Sequence, residues 1–145
     1  ADQVEADLVY LDPPYNQHPY GSNYFMLNLI AENKEPTPET LSRVSGIPKT
    51  WNRSNYNYKK SALSDMRALI TTALKKSAYI LLSYNNEGII EDADWSILFA
   101  ECGAVVEKHE EKYNAYRGSR NLAGRSDKVM ERMYLLRGTP PHAPS

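Results

Sequence analysis

The sequence predicts an α/β fold with a mainly parallel β-sheet and an antiparallel last strand. Two observations carry this prediction. Short apolar segments rich in strand-forming residues alternate with longer segments whose apolar residues recur at helical spacing, which is typical of layered α/β proteins. The last two predicted strands follow each other with only a polar loop between them, so we expect them to form an antiparallel pair at one edge of the sheet.

The first predicted strand covers residues 7–11. Apart from Asp7 it is a short apolar run, which is typical of a parallel strand buried on both faces. It must end at Asp12, because Pro13 and Pro14 have no N–H group to donate to a sheet. The sequence therefore places the Asp12 carboxylate at the carboxyl end of a core strand.

Three helices are predicted, over residues 22–31, 61–76 and 92–102. In the second, Ser61 is the expected N-cap, and Lys75 and Lys76 suit the negative end of the helix dipole. Each helix has one apolar side that we expect to face the core. In the first helix it consists of Tyr24, Leu27 and Ile30 or Ala31, and in the third of Trp95, Leu98, Phe99 and Cys102. In the second helix it consists of Ala62, Met66, Leu69, Ile70, Ala73 and Leu74. Residues 32–60 contain three prolines and no clear period, which predicts a long loop or a small insertion.

The remaining strands are predicted over residues 78–82, 104–112 and 130–136, with an Arg- and Gly-rich loop over 116–126. We expect one domain over residues 1–137 and a disordered tail over 138–145, which holds three prolines. The chain does not start with Met and begins directly before a core strand, so we expect it to be a piece of a longer protein.

Composition excludes several classes of protein. With 41% hydrophobic residues the 145-residue chain is not a disordered tail, and it has no apolar run long enough to span a membrane. A single cysteine, Cys102, excludes a disulfide framework and a cysteine-rich zinc site, and predicts a reducing cytoplasm.

Charge is unevenly distributed along the chain although the net charge is only −1. Residues 87–107 contain acids and no Lys or Arg, whereas residues 108–137 contain eight basic residues and four acids. This regional excess of positive charge permits nucleic-acid binding without requiring it.

The loop after the first strand carries residues suited to chemistry on an amino group. Ligands of open α/β sheets bind outside the carboxyl ends of the strands. Asp12 offers a carboxylate and Pro13 a backbone carbonyl, two acceptors that could draw the N–H bonds of an exocyclic amine towards tetrahedral geometry. Tyr15 offers an aromatic face, and stacking on such a face contributes roughly 1–3 kcal/mol per base. The base must first leave the duplex, because its amino group cannot be reached inside the base stack.

Three segments resemble the D12 class of adenine-specific DNA methyltransferases: residues 12–24 (DPPYNQHPYGSNY), 83–88 (SYNNEG) and 113–121 (YNAYRGSRN). The resemblance implies the carboxy-terminal half of a Rossmann-like, S-adenosylmethionine-dependent methyltransferase sheet. It implies methyl transfer to adenine N6, with catalytic residues Asp12, Pro13, Pro14 and Tyr15. It implies contact with the methyl donor by Asp12, Pro13 and Asn16, and it implies no metal.

The sequence departs from the family's pattern in one respect: it contains no glycine-rich donor-binding loop after a strand. We therefore expect the missing amino-terminal half of a longer parent protein to complete the donor site. The other partners implied are double-stranded DNA with a flipped adenine and a cognate restriction endonuclease.

The DNA-contacting candidates are polar, basic or aromatic residues of the two irregular segments: Lys59, Lys60, Tyr116, Arg117, Arg120, Asn121 and Arg125. Arg side chains commonly position DNA by contacting phosphates, but a solvated loop would have the same composition. Tyr113 or Tyr116 could close the second face of a base pocket, and residues 83–88 could either line a pocket or form a simple turn. Two other functions stay open on the sequence alone, an RNA base methyltransferase and a non-catalytic nucleic-acid-binding module.

Overall fold

The computed structural model describes residues 5–15, 24–43, 49, 54–114 and 128–138. Strands, α-helices and one short 3₁₀ helix follow one another in these residues. They are β1 (Ala6–Leu11), α1 (Phe25–Glu32), the 3₁₀ helix (Asn55–Asn57), α2 (Lys59–Lys76), β2 (Ser77–Asn85), α3 (Asp92–Glu101), β3 (Ala104–Asn114) and β4 (Lys128–Gly138).

The strands form a single sheet in the order β1-β2-β4-β3. β1 pairs with β2 in parallel, and β4 is antiparallel to both of its neighbours. It follows that β1, β2 and β3 point the same way and that β4 alone is reversed, so the predicted mainly parallel sheet with an antiparallel last strand is confirmed. The last strand lies inside the sheet, however, and β3 is the strand at the antiparallel edge.

Helices α2 and α3 cover one face of this sheet and enclose the core. Ala62, Met66, Ile70 and Ala73 are buried along α2, at the spacing of one helix face. Trp95, Leu98 and Phe99 are buried along α3, as predicted. None of the described helices combines the length and the apolarity that crossing a lipid bilayer requires.

The opposite face of the sheet is open, which corrects the prediction that the first strand is buried on both faces. Leu8 and Tyr10 of β1 are 52% and 56% exposed. Leu8 pairs in register with Tyr79 of β2, which is 45% exposed. Side chains alternate between the faces of a strand, so the apolar residues on this side have no cover from the described part of the chain.

Helix α1 departs from its prediction in the same way. It begins at Phe25 rather than at residue 22, and none of its residues is buried. Tyr24, Leu27 and Ile30, the predicted core side, are 50%, 61% and 71% exposed. The apolar pattern of this helix is real, but the described residues provide no surface against which it could pack.

Part of the predicted loop over residues 32–60 is helical. Ser54 caps the 3₁₀ helix by accepting a hydrogen bond from the Tyr56 N–H (3.3 Å), and the buried Asn57 side chain accepts one from the Ser54 N–H (3.2 Å). α2 then starts at Lys59, so the prediction that Ser61 is the N-cap was wrong. The Ser61 hydroxyl instead donates to the Asn55 carbonyl (2.8 Å).

Strand boundaries also extend beyond the predicted ones. β2 runs on to Asn85 rather than ending at Leu82, because its polar end pairs with β4. β4 includes Gly138, the first residue of the predicted tail, which pairs with Ala104 of β3. Residues 139–145 lie outside the described part of the chain.

Candidate active site

The Asp12–Tyr15 loop leaves the carboxyl end of β1, as predicted. The last residue of β1, Leu11, pairs with Leu82 of β2, so Asp12 lies beside the polar end of that strand. Asp12 is exposed, Pro13 is buried, and Tyr15 is half-buried. The loop is thus anchored by a proline in the protein interior while its carboxylate faces outwards.

Two hydrogen bonds tie the loop to the turn that follows β2. The Tyr15 carbonyl accepts one from the Ile89 N–H (2.8 Å) and a longer one from the Tyr84 hydroxyl (3.5 Å). The Tyr84 hydroxyl in turn accepts from the buried Ile90 N–H (3.1 Å). The rings of Tyr15 and Tyr84 meet edge to face, with centroids 6.1 Å apart and planes at 80°.

The turn is built by asparagine side chains. Asn85 is buried, and its side-chain oxygen accepts from the Glu87 N–H (3.1 Å), which is the local geometry that makes Asn common in turns. Asn86 bonds to Met130 of β4 twice, through its side-chain oxygen (2.9 Å) and its backbone N–H (3.0 Å). Residues 83–88 therefore include a turn, one of the two alternatives that the sequence left open, and Tyr84 contacts the Asp12–Tyr15 loop. The other alternative, a pocket-lining role, stays a prediction.

The chemistry of Tyr84 follows from its burial. Only 2% of this residue is exposed. Burial raises the pKa of its phenol, an effect that the backbone N–H groups of Ile90 and Ile89 partly offset. A neutral phenol can accept from one N–H while donating to the Tyr15 carbonyl, as the geometry requires.

The candidate DNA-contacting residues lie mostly outside the described residues. This applies to Tyr116, Arg117, Arg120, Asn121 and Arg125, and also to Asn16 of the donor-contact prediction. Asn114 and Lys128 pair across β3 and β4 immediately before and after the basic segment. Because β3 runs parallel to β1 and β4 runs the opposite way, the end of β3 and the start of β4 lie at the same edge of the sheet as Asp12.

Two lysines of the predicted DNA-contacting set are described, and so is Tyr113, a candidate for the second face of the base pocket. Lys59 and Lys60 occupy the first turn of α2 rather than a loop, and Lys59 Nζ lies 3.9 Å from Glu91. Tyr113 is 55% exposed and lines, together with Ser83, a groove of about 270 Å³ across the ends of β2, β3 and β4. The structure therefore places Tyr113 near the polar end of β2, but Lys59 and Lys60 belong to a separate element.

Some of the basic residues counted in the sequence are engaged in ion pairs. Lys108 Nζ contacts the Asp92 carboxylate (3.0 Å) and the Glu110 carboxylate (2.9 Å), and Arg132 Nε contacts Glu110 (2.8 Å). The Tyr134 hydroxyl donates to Asp92 (3.0 Å). The hydrogen bond from Lys108, and to a smaller extent the one from Tyr134, hold the pKa of Asp92 below its usual range. Lys108 and Arg132 therefore brace the start of α3 rather than present free charge to DNA.

The described residues contain no cluster of three or more side chains able to hold a metal ion. His109, the described histidine of β3, is exposed. Sequence reasoning missed the Tyr84 hydroxyl and the amides of Ile89 and Ile90 as partners of the loop. The signal available was the polar string that directly follows the apolar part of β2.

A layered α/β sheet with an Asp-Pro-Pro-Tyr loop at the end of a strand is the arrangement on which the resemblance to amino-directed methyltransferases rests. The model of the family described as D12 class N6 adenine-specific DNA methyltransferase matches residues 1–96, and the chain belongs to this family.

Similar proteins include the modification methylase StsI of Streptococcus sanguinis, 33% identical over 140 residues, which are 95% of this chain and 20% of that protein. The type II methyltransferase M.NlaIII of Neisseria lactamica is 31% identical over 138 residues, 94% of this chain and 39% of that protein. M.CviAII of Paramecium bursaria Chlorella virus 1 is 28% identical over 111 residues, 74% of this chain and 32% of that protein. The chain thus spans well under half the length of these relatives.

Proposed function

We propose that this chain, as part of a longer enzyme, transfers a methyl group from S-adenosylmethionine to N6 of adenine in double-stranded DNA. The observation that carries the proposal is the Asp12–Tyr15 loop. It presents an exposed carboxylate at the carboxyl end of a strand, next to an aromatic ring held in place by hydrogen bonds to its own carbonyl. The family to which the chain belongs supports the same reaction.

In the proposed mechanism the loop acts on the amino group of an extruded adenine. The Asp12 carboxylate and the Pro13 carbonyl accept the two N–H bonds, which turns the nitrogen lone pair towards the methyl group. When bound, the donor would supply the methyl group for the new N–C bond, and its sulfur would keep the electron pair of the broken C–S bond. The Asp12 carboxylate or water would take the proton that the methylated amine releases. Tyr15 stacks on the base and stabilises its extruded position.

S-adenosylmethionine supplies a methyl group on a positively charged sulfur. The fit of the present residues to this donor is partial. The exposed Asp12 carboxylate, with Pro13 and Asn16 beside it in sequence, suits the positive charge of the donor. No glycine-rich turn follows a strand anywhere in the sequence, so we propose that the chain is inactive alone and that the rest of the donor site lies in the longer enzyme.

The open face of the sheet supports this view of a longer enzyme. Leu8, Tyr10 and Tyr79 expose a continuous apolar surface in this chain. Relatives carry at least 60% of their length outside the matched region, since the match covers at most 39% of them. We propose that the amino-terminal part of the enzyme packs on this face.

We also propose that the basic segment 116–126 contacts DNA phosphates. In the cytoplasm, methylation by the enzyme would protect its DNA site from a cognate restriction endonuclease.

The test is methyl transfer by the full-length enzyme, measured with labelled donor on double-stranded DNA and, in parallel, on RNA. Asp12→Ala should reduce transfer to background and leave DNA affinity within about threefold, because the carboxylate acts on the amino group and not on the phosphates. Asp7→Ala is the matched control, since Asp7 is an exposed carboxylate near the opposite end of the same strand.

The two substrates separate the alternatives. Transfer to RNA alone would replace the DNA assignment by the RNA one. A full-length protein that binds DNA but methylates neither substrate would favour the non-catalytic module. Methylation retained by Asp12→Ala would refute the role given to this residue.

A further inference from the structure

We propose that Tyr84 is a positioning residue for methyl transfer, acting through the backbone of Tyr15, and that Gly88 is required to seat its ring. This inference rests on the proposed function, because its effect is exerted on the Asp12–Tyr15 loop. It assigns a role to a hydroxyl 69 residues away from Tyr15 in the sequence.

The Tyr84 hydroxyl lies between the loop and the turn. It accepts from the Ile90 N–H at 3.1 Å and points towards the Tyr15 carbonyl at 3.5 Å. The same carbonyl accepts from the Ile89 N–H at 2.8 Å. Tyr84 thus fixes the turn that holds the last residue of the loop.

The Tyr84 ring also has two aromatic contacts of different kinds. Its centroid lies 4.9 Å from that of Trp95, in the fully buried core of α3, and 6.1 Å from that of Tyr15. Both pairs are edge to face, a geometry that fixes orientation as well as distance. The ring therefore links a rigid part of the core to the aromatic side chain proposed to stack on the base.

Gly88 makes this placement possible by its lack of a side chain. A Cβ atom added there would lie 2.5 Å from Cζ and 2.7 Å from the hydroxyl oxygen of Tyr84, well inside van der Waals contact. Since Tyr84 is buried, its ring cannot swing into solvent to relieve the overlap. The requirement for glycine at residue 88 is thus one of space around the Tyr84 hydroxyl.

The far side of the turn is fixed as well. Asn86 bonds to Met130 at the start of β4 through both a side-chain and a backbone hydrogen bond. The turn is therefore held between β4 and the loop, and a change at Tyr84 is transmitted to Tyr15 rather than absorbed by free movement of the turn.

The experiment compares Tyr84→Phe with Tyr134→Phe in the full-length enzyme. Both remove one hydroxyl from a tyrosine that is 2% exposed in the same core, but the Tyr134 hydroxyl bonds to Asp92 rather than to the loop. For Tyr84→Phe we expect the single-turnover rate constant of methyl transfer to fall about threefold to tenfold, the equivalent of one hydrogen bond and one unpaired N–H. The donor KM and the DNA Kd should stay within about twofold.

The control should behave in the opposite way. Tyr134→Phe should lower the melting temperature and leave the rate constant unchanged, because its partner Asp92 belongs to the ion-pair network at α3. Equal rate constants for the two variants, with an active wild type, would overturn the positioning role and leave the proposed function standing. A wild-type enzyme without transfer activity would overturn both.

Gly88→Ala provides a second variant that keeps the hydroxyl. We expect it to reduce the rate constant at least as much as Tyr84→Phe, and the double variant to be no slower than Gly88→Ala alone, since both changes break the same contact. Fluorescence of 2-aminopurine at the target position should report weaker stacking in both. Additive rate losses, or unchanged fluorescence, would contradict the inference.

Discussion

At the scale of single residues, Trp95 joins the stability of the core to the candidate site. The residue is fully buried, and its ring contacts those of Tyr84, Phe99 and Tyr134 with centroids 4.9, 5.3 and 6.0 Å apart. Its indole nitrogen is the single buried side-chain polar atom without a hydrogen-bond partner among the described residues. An unpaired buried N–H costs about 1–3 kcal/mol, so the aromatic packing must more than offset this cost.

We therefore expect Trp95→Phe to be much less damaging than Trp95→Ala. The alanine variant leaves a large cavity and should lose about 3–5 kcal/mol of unfolding free energy. The phenylalanine variant also loses volume, but it removes the unpaired N–H, and we expect a loss below about 2 kcal/mol. Denaturant unfolding measures both. Ile97→Ala, at an exposed position of the same helix, is the control, and equal losses for the two Trp95 variants would contradict the argument.

The sequence predicted those residues whose role depends on local chemistry. Asp12 and the two prolines were placed at a strand end because two consecutive residues without an N–H group cannot donate to a sheet ladder, which is a local property. Trp95, Leu98 and Phe99 were placed in the core because helical periodicity is local too. The contact between Tyr84 and Tyr15 could not be predicted, since it depends on how two distant segments pack.

At the scale of elements, pairing with a neighbour overrides composition. The end of β2 is polar and was predicted to lie beyond the strand, yet Tyr84 and Asn85 are strand residues opposite Arg132 and Glu131 of β4. The start of α2 shows the same effect, because the 3₁₀ helix before it changes where the helix can begin. Local propensity is a weak guide wherever tertiary pairing is available to the backbone.

The start of α3 is held by a network that the charge distribution alone did not reveal. Asp92, the first residue of α3, accepts hydrogen bonds from Lys108 of β3 and from Tyr134 of β4. A carboxylate at this end of a helix also interacts favourably with the helix dipole. The acidic segment 87–107 and the basic segment 108–137 thus contact each other in the folded chain.

This network predicts a loss of stability on acidification. The pKa of Asp92 is lowered in the folded state, chiefly by Lys108, so the ionised carboxylate adds stability above its unfolded pKa near 3.8 and loses it as the pH falls. The pKa of Glu110 is lowered in the same direction, first by Lys108 and then by Arg132. Because the Asp92 side chain is 44% exposed, we expect its share to be under about 1 kcal/mol.

The measurement is the melting temperature of the full-length enzyme between about pH 6 and pH 3. The wild type should lose stability more steeply over this range than Asp92→Asn, which lacks the titrating group. Asp94→Asn lies in the same first turn of α3 and outside this network, so it should retain the wild-type slope. Parallel curves for wild type and Asp92→Asn would show that the network contributes nothing.

At the scale of the whole molecule, strand direction was predictable and strand order was not. Alternation with helices implied parallel strands, whereas the insertion of β4 between β2 and β3 depends on the pairing of eleven residues of β3 with β4. Burial of β1 on both faces was predicted from the apolar run over residues 8–11. Within the described ranges only one face is covered, and this mismatch between composition and exposure supports the proposed packing of the amino-terminal part of the enzyme on the other face.

If the open face is covered in the longer enzyme, lysine substitutions on it should destabilise that enzyme and leave the stability of the chain alone nearly unchanged. Leu8→Lys and Tyr79→Lys change two residues that pair in register and are about half exposed in the chain. In the isolated chain they should leave the melting temperature nearly unchanged and reduce self-association, because they replace exposed apolar surface by charge. In the full-length enzyme each should cost several kcal/mol, since it would bury an unpaired charge.

The control is Ile97→Lys, at a position 58% exposed on α3 on the other side of the sheet, which should have little effect on stability in both forms. A full-length enzyme that tolerates Leu8→Lys and Tyr79→Lys as well as Ile97→Lys would show that nothing packs on the open face, and the proposal that the amino-terminal part packs there would fall.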